Sequence, residues 1–343
     1  MEQDYLGLKI GGIKILLRSE GHSLHRLAEV YRQFLLQGDS YDFTLELVTL
    51  PWRETDFRAL GSDRQNLLFH FYQHYRKILE PYSPASSLGP LIDVLNWIAK
   101  HLGSKAFEHY VTDFSRKKGK SICVQPIRAP KGGKSTEGVL FLERGGRAGK
   151  FLWLQFLDEP DITILLLNVL LCFTYGIIIR EHEGFLLHSS AVARRNKCYL
   201  FTGFSRSGKT TVASLAQSFT VLADDGIPVR RRGSDFYAPS TPWNLMYPPW
   251  NGNFGEVVED AKIEKIFFLN RGSGVSFKEL TPAESVARLI RHLIPSLVWL
   301  NYYDPEEVRT TFELCSQFCH AVACYDMYFS LEEDFWDELS KLP

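Results

Sequence analysis

The sequence predicts an α/β protein with mixed sheets in two domains, a mixed α/β N-terminal domain at residues 1–150 and a second α/β domain at residues 151–343. The chain of 343 residues is 45% hydrophobic and 23% charged, which suits a soluble protein of about two domains. Strand-like and helix-like periods alternate in both halves. Residues 115–150 differ, with ten Lys or Arg, two Glu and many Gly, so we expect a flexible basic connection with hairpins near the boundary.

The N-terminal domain is expected to begin with a strand, a Gly11-Gly12 turn and a second strand. Apolar residues three and four apart then predict a helix, and alternation of Phe and Leu predicts a strand. Two further segments with helical spacing are separated by prolines. In chain order, these elements are the hairpin at 6–17, the helix at 25–36, the strand at 41–50 and the helices at 64–80 and 90–112.

The second domain is expected to alternate strands and helices, with one capping-box signal at Thr281 and Glu284. The strands are predicted at 185–192, 198–202, 220–223, 227–231, 235–238, 263–269 and 321–329, with hairpins joining the first two and the fourth and fifth. The helices are predicted after residue 210 and at 282–293, 306–318 and 332–338. Residues 240–255 form a long loop rich in Pro, Trp and Asn.

One segment tests the soluble interpretation. Residues 162–179 contain no charged side chain and reach the length that a membrane-spanning helix needs. Asn168 lies within the run, and Asp161 and Arg180 bracket it closely. A core helix that is buried all round has the same composition, and we favour that interpretation.

Charge and cysteine content also restrict the function. The net charge is −1, so no global field attracts nucleic acid or an anionic membrane, and we expect neither as a partner. The six cysteines lie mostly in apolar runs without the spacing of a disulfide framework, and the N-terminus does not resemble a signal peptide. We therefore expect buried free thiols and a cytoplasmic location.

The most informative motif is Gly203-Phe204-Ser205-Arg206-Ser207-Gly208-Lys209-Thr210, which fits the phosphate-loop pattern G-x-x-x-x-G-K-[ST]. A buried strand is predicted before it and a helix after it. Glycines permit close approach of the backbone, so the loop N–H groups and the helix N-terminus can bind the phosphates of ATP. Lys209 would bridge the β- and γ-phosphates, and the Thr210 hydroxyl would bind Mg²⁺. The expected nucleotide contacts are Gly203, Ser205, Arg206, Ser207, Gly208, Lys209, Thr210 and Thr211.

A pair of carboxylates follows this loop by one helix. Asp224 and Asp225 end the strand predicted at 220–223, at the sheet edge where α/β proteins bind ligands. One carboxylate can hold Mg²⁺ while the other accepts the proton of an attacking hydroxyl. His188, in the strand pair that leads into the loop, can approach the pair and assist proton transfer.

These three pieces, in this order, resemble the catalytic domain of HPr kinase/phosphorylase, and its enlarged group resembles the nucleotide site of ATP-dependent phosphoenolpyruvate carboxykinase. The resemblance covers roughly residues 180–330. It implies that Asp224 is the acid or base for the acceptor hydroxyl, with His188 in support, and that Asp225 lies beside the metal. One sequence leaves open which aspartate has which role. The glycine-rich signature E-[IV]-R-G-[LI]-G of the bifunctional enzymes is absent from the sequence; the nearest run, residues 270–274, reads as a β-turn.

The function expected is therefore an ATP- and Mg²⁺-dependent kinase that phosphorylates a hydroxyl, most simply a serine of a peptide or protein, with Lys209, Asp224 and His188 as catalytic residues and Thr210 and Asp225 as metal ligands. Two alternatives stay open: a non-catalytic ATP-binding regulator, and a kinase of a small molecule. Members of the family often form oligomers, so a homo-oligomer is one further expectation.

Three other features have two interpretations each. The loop with Trp243 and Trp250 can stack on adenine or cover the acceptor as a lid, or it can cap the core. His70 and His74 share a predicted helix face, as do Cys315 and Cys319; for both pairs we favour an ordinary helix over a metal site.

Overall fold

The fold was analysed in a computed structural model of the chain. The structure describes residues 3–20, 24–38, 40–49, 122–131, 134–143, 147–155, 160–204, 207–216, 218–243, 257–294, 305–329 and 335–342. The helices expected at 64–80 and 90–112, with His70 and His74, lie outside these residues, as do Ser205, Arg206 and Trp250. The described part is an α/β structure with two sheets of mixed strand orientation.

The first sheet has six strands in the order β1-β2-β3-β6-β5-β4. Its strands are β1 (Gln3–Ile10), β2 (Ile13–Glu20), β3 (Phe43–Thr49), β4 (Ile122–Lys131), β5 (Lys134–Glu143) and β6 (Ala148–Gln155). The β2–β3 and β3–β6 pairs are parallel and the other pairs are antiparallel. The short helix α1 (His25–Val30) connects β2 to β3. The hairpin, helix and strand expected over residues 6–50 are therefore present, although α1 is shorter than expected.

The basic segment at 115–150 contributes two strands to the first sheet. Its hairpin is present as β4 and β5, but both strands belong to the six-stranded sheet, in which β5 also pairs with β6. Over 122–131 and 134–143 the expected hairpin is therefore part of a sheet. The local sequence did not indicate this, because Gly, Pro and Lys weaken the strand signal and pairing across the sheet compensates for it.

The apolar run forms helix α2 (Pro160–Ile178). It is long and apolar enough to cross a membrane, but 61% of its most apolar window is buried, which favours the core helix. Leu166, Leu170 and Leu171 belong to the same buried apolar cluster as residues of β1–β3, each contributing about 1.5–3 kcal/mol relative to exposure. The buried Asn168 side chain is satisfied, because Tyr31 Oη donates a hydrogen bond to its Oδ1.

The second sheet has nine strands, in the order β11-β10-β7-β8-β12-β15-β13, with β9 and β14 also paired to β7. The strands are β7 (Gly184–Arg194), β8 (Lys197–Thr202), β9 (Thr220–Ala223), β10 (Gly226–Arg232), β11 (Asp235–Ala238), β12 (Ala261–Arg271), β13 (Ser276–Glu279), β14 (Leu293–Ile294) and β15 (Ala323–Phe329). Strand β12 is parallel to β8 and β15. The seven strands expected in this half are all present, as are both hairpins.

Four helices complete this half: α3 (Lys209–Ser214), α4 (Pro282–Leu289), α5 (Pro305–Ala321) and α6 (Phe335–Ser340). The expected capping box is present at α4, where Thr281 Oγ1 accepts a hydrogen bond from Glu284 N and Glu284 Oε2 accepts one from Thr281 N. Cys315, Cys319 and the other three described cysteines are buried free thiols. In the described part of the chain, no three His, Cys, Asp or Glu residues are placed to hold a metal ion.

The two sheets meet at the β1–β2 turn. Arg230 Nη1 of β10 donates a hydrogen bond to Gly11 O at 2.5 Å, and Tyr175 Oη of α2 donates one to Ile10 O at 3.1 Å. Gly11 and Gly12 have φ of 53° and 84°, the left-handed region that this tight turn requires. One apolar cluster includes residues of the first sheet together with Leu186 and Trp243, so a shared core joins both halves of the chain.

Candidate functional site

The candidate site lies beside the central strand β7, at the point where the strands paired with it are interrupted on both sides. Along β7 only His188 and the terminal Arg194 are not buried. On one side, β9 ends at Ala223 opposite Ala191, and β10 begins at Gly226 opposite His188. Asp224 and Asp225 occupy the interval between these two strands. The interruption therefore places both carboxylates beside His188.

The other side of β7 has a matching interruption. Strand β8 ends at Thr202, which lies opposite Ser189, and β14 begins at Leu293, opposite Leu187. The chain leaves the sheet after Thr202 as the glycine loop, residues 203–208, and returns much later as His292. Continued by one residue, the β14 register places His292 opposite His188. Loop, carboxylates and two histidines thus converge at one level of the sheet.

The described residues of the glycine loop form a tight turn. Gly208 precedes α3 with φ of 103°, a conformation that L side chains rarely adopt, and a Cβ there would lie 2.8 Å from the Phe329 ring. A Cβ on Gly203 would lie 2.5 Å from Ser207 Oγ, so a larger residue here would displace the Ser207 side chain. Helix α3 has only six residues, fewer than the sequence suggested, so its dipole is small.

Lys209 is buried, 7% exposed, and its ammonium folds back over the loop. Its Nζ donates hydrogen bonds to Gly203 O at 2.9 Å and to Phe204 O at 3.2 Å. Burial lowers the pKa of Lys209, and the charges of Asp225 and Asp224 oppose that shift. Ser190, in β7, anchors the start of α3 because its Oγ donates to Lys209 O at 3.1 Å. The Lys209 ammonium thus lies beside the loop, close enough for an electrostatic interaction with both carboxylates.

Thr210 and Asp224 form the first polar pair of the site. Thr210 Oγ1 donates a hydrogen bond to Asp224 Oδ2 at 3.1 Å. Asp224 is 2% exposed, and burial raises its pKa, although the Thr210 hydrogen bond lowers it in part. Within the described residues, Asp224 Oδ1 and Ser207 Oγ are buried without a hydrogen-bond partner. Such atoms are costly to bury, so the site offers two unsatisfied oxygens to a ligand.

His188 and Asp225 form the second pair. His188 Nε2 lies 2.5 Å from Asp225 Oδ1, and Asp225 is only 8% exposed. The backbone holds this pair in place, since Ser189 N donates to Asp225 O at 3.2 Å and Thr202 Oγ1 donates to His188 O at 2.9 Å. The sequence-based expectation coupled Thr210 with Asp225 and His188 with Asp224. The structure pairs them the other way, because consecutive residues that leave a strand point to different sides.

Two residues that the sequence did not single out for chemistry border the site. His292, 7% exposed, ends the 3₁₀ turn Ile290–His292, and its ring centroid lies 5.1 Å from that of Phe204. Phe204 is 67% exposed, which is unusual for so large an apolar side chain. No local pattern distinguishes His292, because its position depends on the pairing of β14 with β7.

Two further residues that the sequence singled out are described by the structure. Thr211 is half-buried in α3, where its carbonyl accepts a hydrogen bond from Leu215 N. Trp243 is fully buried and contacts the Tyr175 ring edge-on at 4.9 Å between centroids, so its interpretation as core was correct and it is no lid.

The arrangement at the site offers a cation, loop amides, an unsatisfied carboxylate oxygen and a carboxylate–imidazole pair. Together these groups can bind an anion and a cation side by side and move a proton.

Comparison with known proteins assigns the family. No curated protein matches the chain. One family model matches residues 154–342, more than half of the chain, and is described as "SynChlorMet cassette protein ScmC". The matched region contains the glycine loop, both aspartates and both histidines of the site. The chain therefore belongs to the ScmC family of SynChlorMet cassette proteins.

Proposed function

We propose that the protein is an ATP- and Mg²⁺-dependent kinase that transfers the γ-phosphoryl group to a hydroxyl, most simply a serine of a peptide or protein. In this proposal residues 151–343 are an HPr-kinase-like nucleotide domain. The observation that carries it is the hydrogen bond of 3.1 Å between Thr210 and Asp224, directly beside Lys209 in its glycine loop. That contact joins the phosphate-loop motif to a carboxylate that belongs to a different strand.

The unsatisfied atoms of the site fit a bound Mg²⁺–ATP complex. Asp224 Oδ1 and Ser207 Oγ lack partners within the described residues, and carboxylate and hydroxyl oxygens are groups that Mg²⁺ and phosphate use. The Thr210 hydroxyl and Asp224 would hold the metal, and the loop amides with Lys209 would hold the phosphates. Bound Mg²⁺ would neutralise charge on the phosphoryl oxygens. Lys209 would exchange its two loop carbonyls for phosphate oxygens, a stronger, charge-assisted contact.

The acceptor hydroxyl is assigned to the second pair. Asp225, oriented by His188 at 2.5 Å, would accept the proton of the attacking hydroxyl. Such a base contributes about 10²–10⁴-fold to a rate. This exchanges the roles that the resemblance implied for Asp224 and Asp225, because Thr210 contacts Asp224. Most of the remaining rate enhancement would come from the fixed charges of Lys209 and the metal, since phosphoryl transfer asks little covalent chemistry of the protein.

The test uses the full chain with Mg²⁺–ATP labelled at the γ-phosphate and a library of serine peptides as acceptor probe. We expect calorimetric binding of ATP and transfer of label, both lost in Lys209→Ala. Lys262→Ala is the matched control, since Lys262 is exposed and pairs with Asp235. Undiminished ATP binding in Lys209→Ala would contradict the proposal. ATP binding by the wild type without transfer to any acceptor, together with full cellular activity of Asp225→Asn, would instead favour the regulatory alternative.

A further inference from the structure

His292 is placed in the site by strand pairing rather than by its sequence neighbours. The β14 register continues to set it opposite His188, and residues opposite each other in antiparallel strands project from the same face of a sheet. The pKa of His292 agrees with this placement, because electrostatic interactions with His188 and Lys209 both lower it. His292 therefore faces the same space as the catalytic groups proposed above.

The surroundings of the ring offer it contacts but no hydrogen bond. Phe204 meets it at 5.1 Å between centroids and 60° between planes, and Phe268 at 6.4 Å. Among the described residues, none gives either ring nitrogen a hydrogen-bond partner. His292 is 7% exposed, and its ring nitrogens are not among the inaccessible polar atoms that lack a partner, so they remain open to water or to a ligand in the site. A core position with two aromatic neighbours would be filled better by an apolar side chain.

The charges around His292 indicate which ligand would satisfy it. Burial, then the positive charges of His188, Lys209 and Arg291, lower its pKa to about 4. At neutral pH the ring is therefore uncharged, with one N–H donor and one acceptor nitrogen. The positive charge of Lys209, which disfavours a charged ring, favours an anion beside it. An anionic oxygen beside Lys209 would accept the N–H of His292.

We propose that His292 donates a hydrogen bond to the terminal phosphoryl group of the bound nucleotide, and that Phe204 fixes the orientation of its ring. The inference rests on the proposed function, because it requires a nucleotide in the glycine loop. It adds a second contact to the outer phosphate, beside the one proposed for Lys209. A neutral donor at that phosphate would strengthen the preference of the site for a triphosphate over a diphosphate.

The test compares two ligands and two variants in the full chain. Binding of Mg²⁺ complexes of ADP and of the non-hydrolysable triphosphate AMP-PNP is measured by calorimetry for the wild type, His292→Phe and His292→Gln. We expect His292→Phe to weaken AMP-PNP binding by about tenfold or more, the loss of one hydrogen bond to a charged group, and to leave ADP binding within about twofold. His292→Gln keeps a neutral donor and should recover most of the difference. His320→Phe is the control, since His320 is exposed on α5.

The outcomes separate this inference from the proposed function. Unchanged AMP-PNP binding in His292→Phe, or an equal loss for ADP and AMP-PNP, would overturn the role of His292 while nucleotide binding stands. Absence of nucleotide binding in the wild type would overturn both. If His292→Phe does not fold, the wild type suffices: the ring ¹⁵N signals of His292 should shift on addition of AMP-PNP and stay unchanged with ADP, and equal responses would count against the inference.

Discussion

His188 Nε2 and Asp225 Oδ1 lie 2.5 Å apart, in a pair that joins two neighbouring strands of the second sheet. The pair exists because β10 begins directly opposite His188, so the residue before β10 reaches across to the imidazole. Its two members differ in exposure, with 33% of the His188 side chain and 12% of the Asp225 side chain accessible. His188 is thus the more accessible member of the pair.

Removing His188 should leave Asp225 Oδ1 without the imidazole that it contacts. Because that carboxylate is mostly buried, we expect His188→Ala to lower the free energy of unfolding by about 1–3 kcal/mol. Urea denaturation measures the change. His25→Ala is the control, since the His25 side chain is 79% exposed. Equal stability of the two variants would mean that the pair contributes nothing to the fold.

Replacing Asp224 by Asn should make stability less dependent on pH. Burial raises the Asp224 pKa in the folded protein above the ordinary value of 3.8, so the folded state binds this proton more tightly than the unfolded chain does. Wild-type stability should fall as pH rises through that raised pKa, and Asp224→Asn should not show this fall. The variant should therefore be the more stable protein at pH 7, with the difference disappearing below the ordinary carboxyl pKa.

Thermal melts at a series of pH values between about 3 and 8 measure this effect, across the range in which carboxyl groups titrate. If the protein is the proposed kinase, phosphoryl transfer by Asp224→Asn should fall at least about a hundredfold, because the proposal makes Asp224 a ligand of the metal. A variant that is less stable than the wild type at pH 7 would show that Asp224 is stabilised as a carboxylate, contrary to the direction of its pKa.

Substituting Gly208 should damage the loop through both conformation and packing. An alanine at φ of 103° is strained, and its Cβ would lie 2.8 Å from the Phe329 ring. Gly233 is the matched control, because it also has positive φ, 63°, but nothing lies within 4 Å of its Cβ position. We expect Gly233→Ala to cost about 1 kcal/mol and Gly208→Ala distinctly more, with loss of ATP binding in Gly208→Ala alone. Chemical denaturation and calorimetry test this; equal costs would falsify the packing argument.

The Thr210 hydroxyl should matter more than its methyl group. Thr210→Val removes the hydrogen bond to Asp224 and leaves both oxygens of that carboxylate unpaired among the described residues, which should cost about 1–3 kcal/mol of stability. It should also raise the Mg²⁺ concentration needed for ATP binding, measured by titrating Mg²⁺ at fixed ATP. Thr210→Ser, which keeps the hydroxyl, should behave as the wild type in both measurements. A serine variant as impaired as the valine variant would assign the effect to packing.

Much of the second sheet could be predicted from local pattern. The β7–β8 hairpin follows from two apolar runs around Arg195 and Asn196, which adopt the positive φ of 51° and 65° that a two-residue hairpin turn needs. The capping box at Thr281 could also be predicted from the sequence, since it involves two residues only three positions apart. Strands β4 and β5 were missed as parts of the sheet, because their identity depends on pairing with β6 and, through it, β3 rather than on their own composition.

The composition of the candidate site followed from the motif and the two consecutive aspartates, but its pairings did not. Thr210 contacts Asp224 and His188 contacts Asp225, because two neighbouring residues at a break between strands face opposite directions. His292 joins the site through the two-residue strand β14, a segment too short to give a periodic signal.

Local residue order alone was enough to define the glycine loop, the strands beside it and the nature of the chemical groups, since backbone conformation and periodicity are short-range properties. The tertiary structure decided which groups meet. The contacts of His188 with Asp225 and of His292 with Phe204 join segments that are far apart in the chain. They arise because the strands paired with β7 are interrupted on both sides at the position of His188.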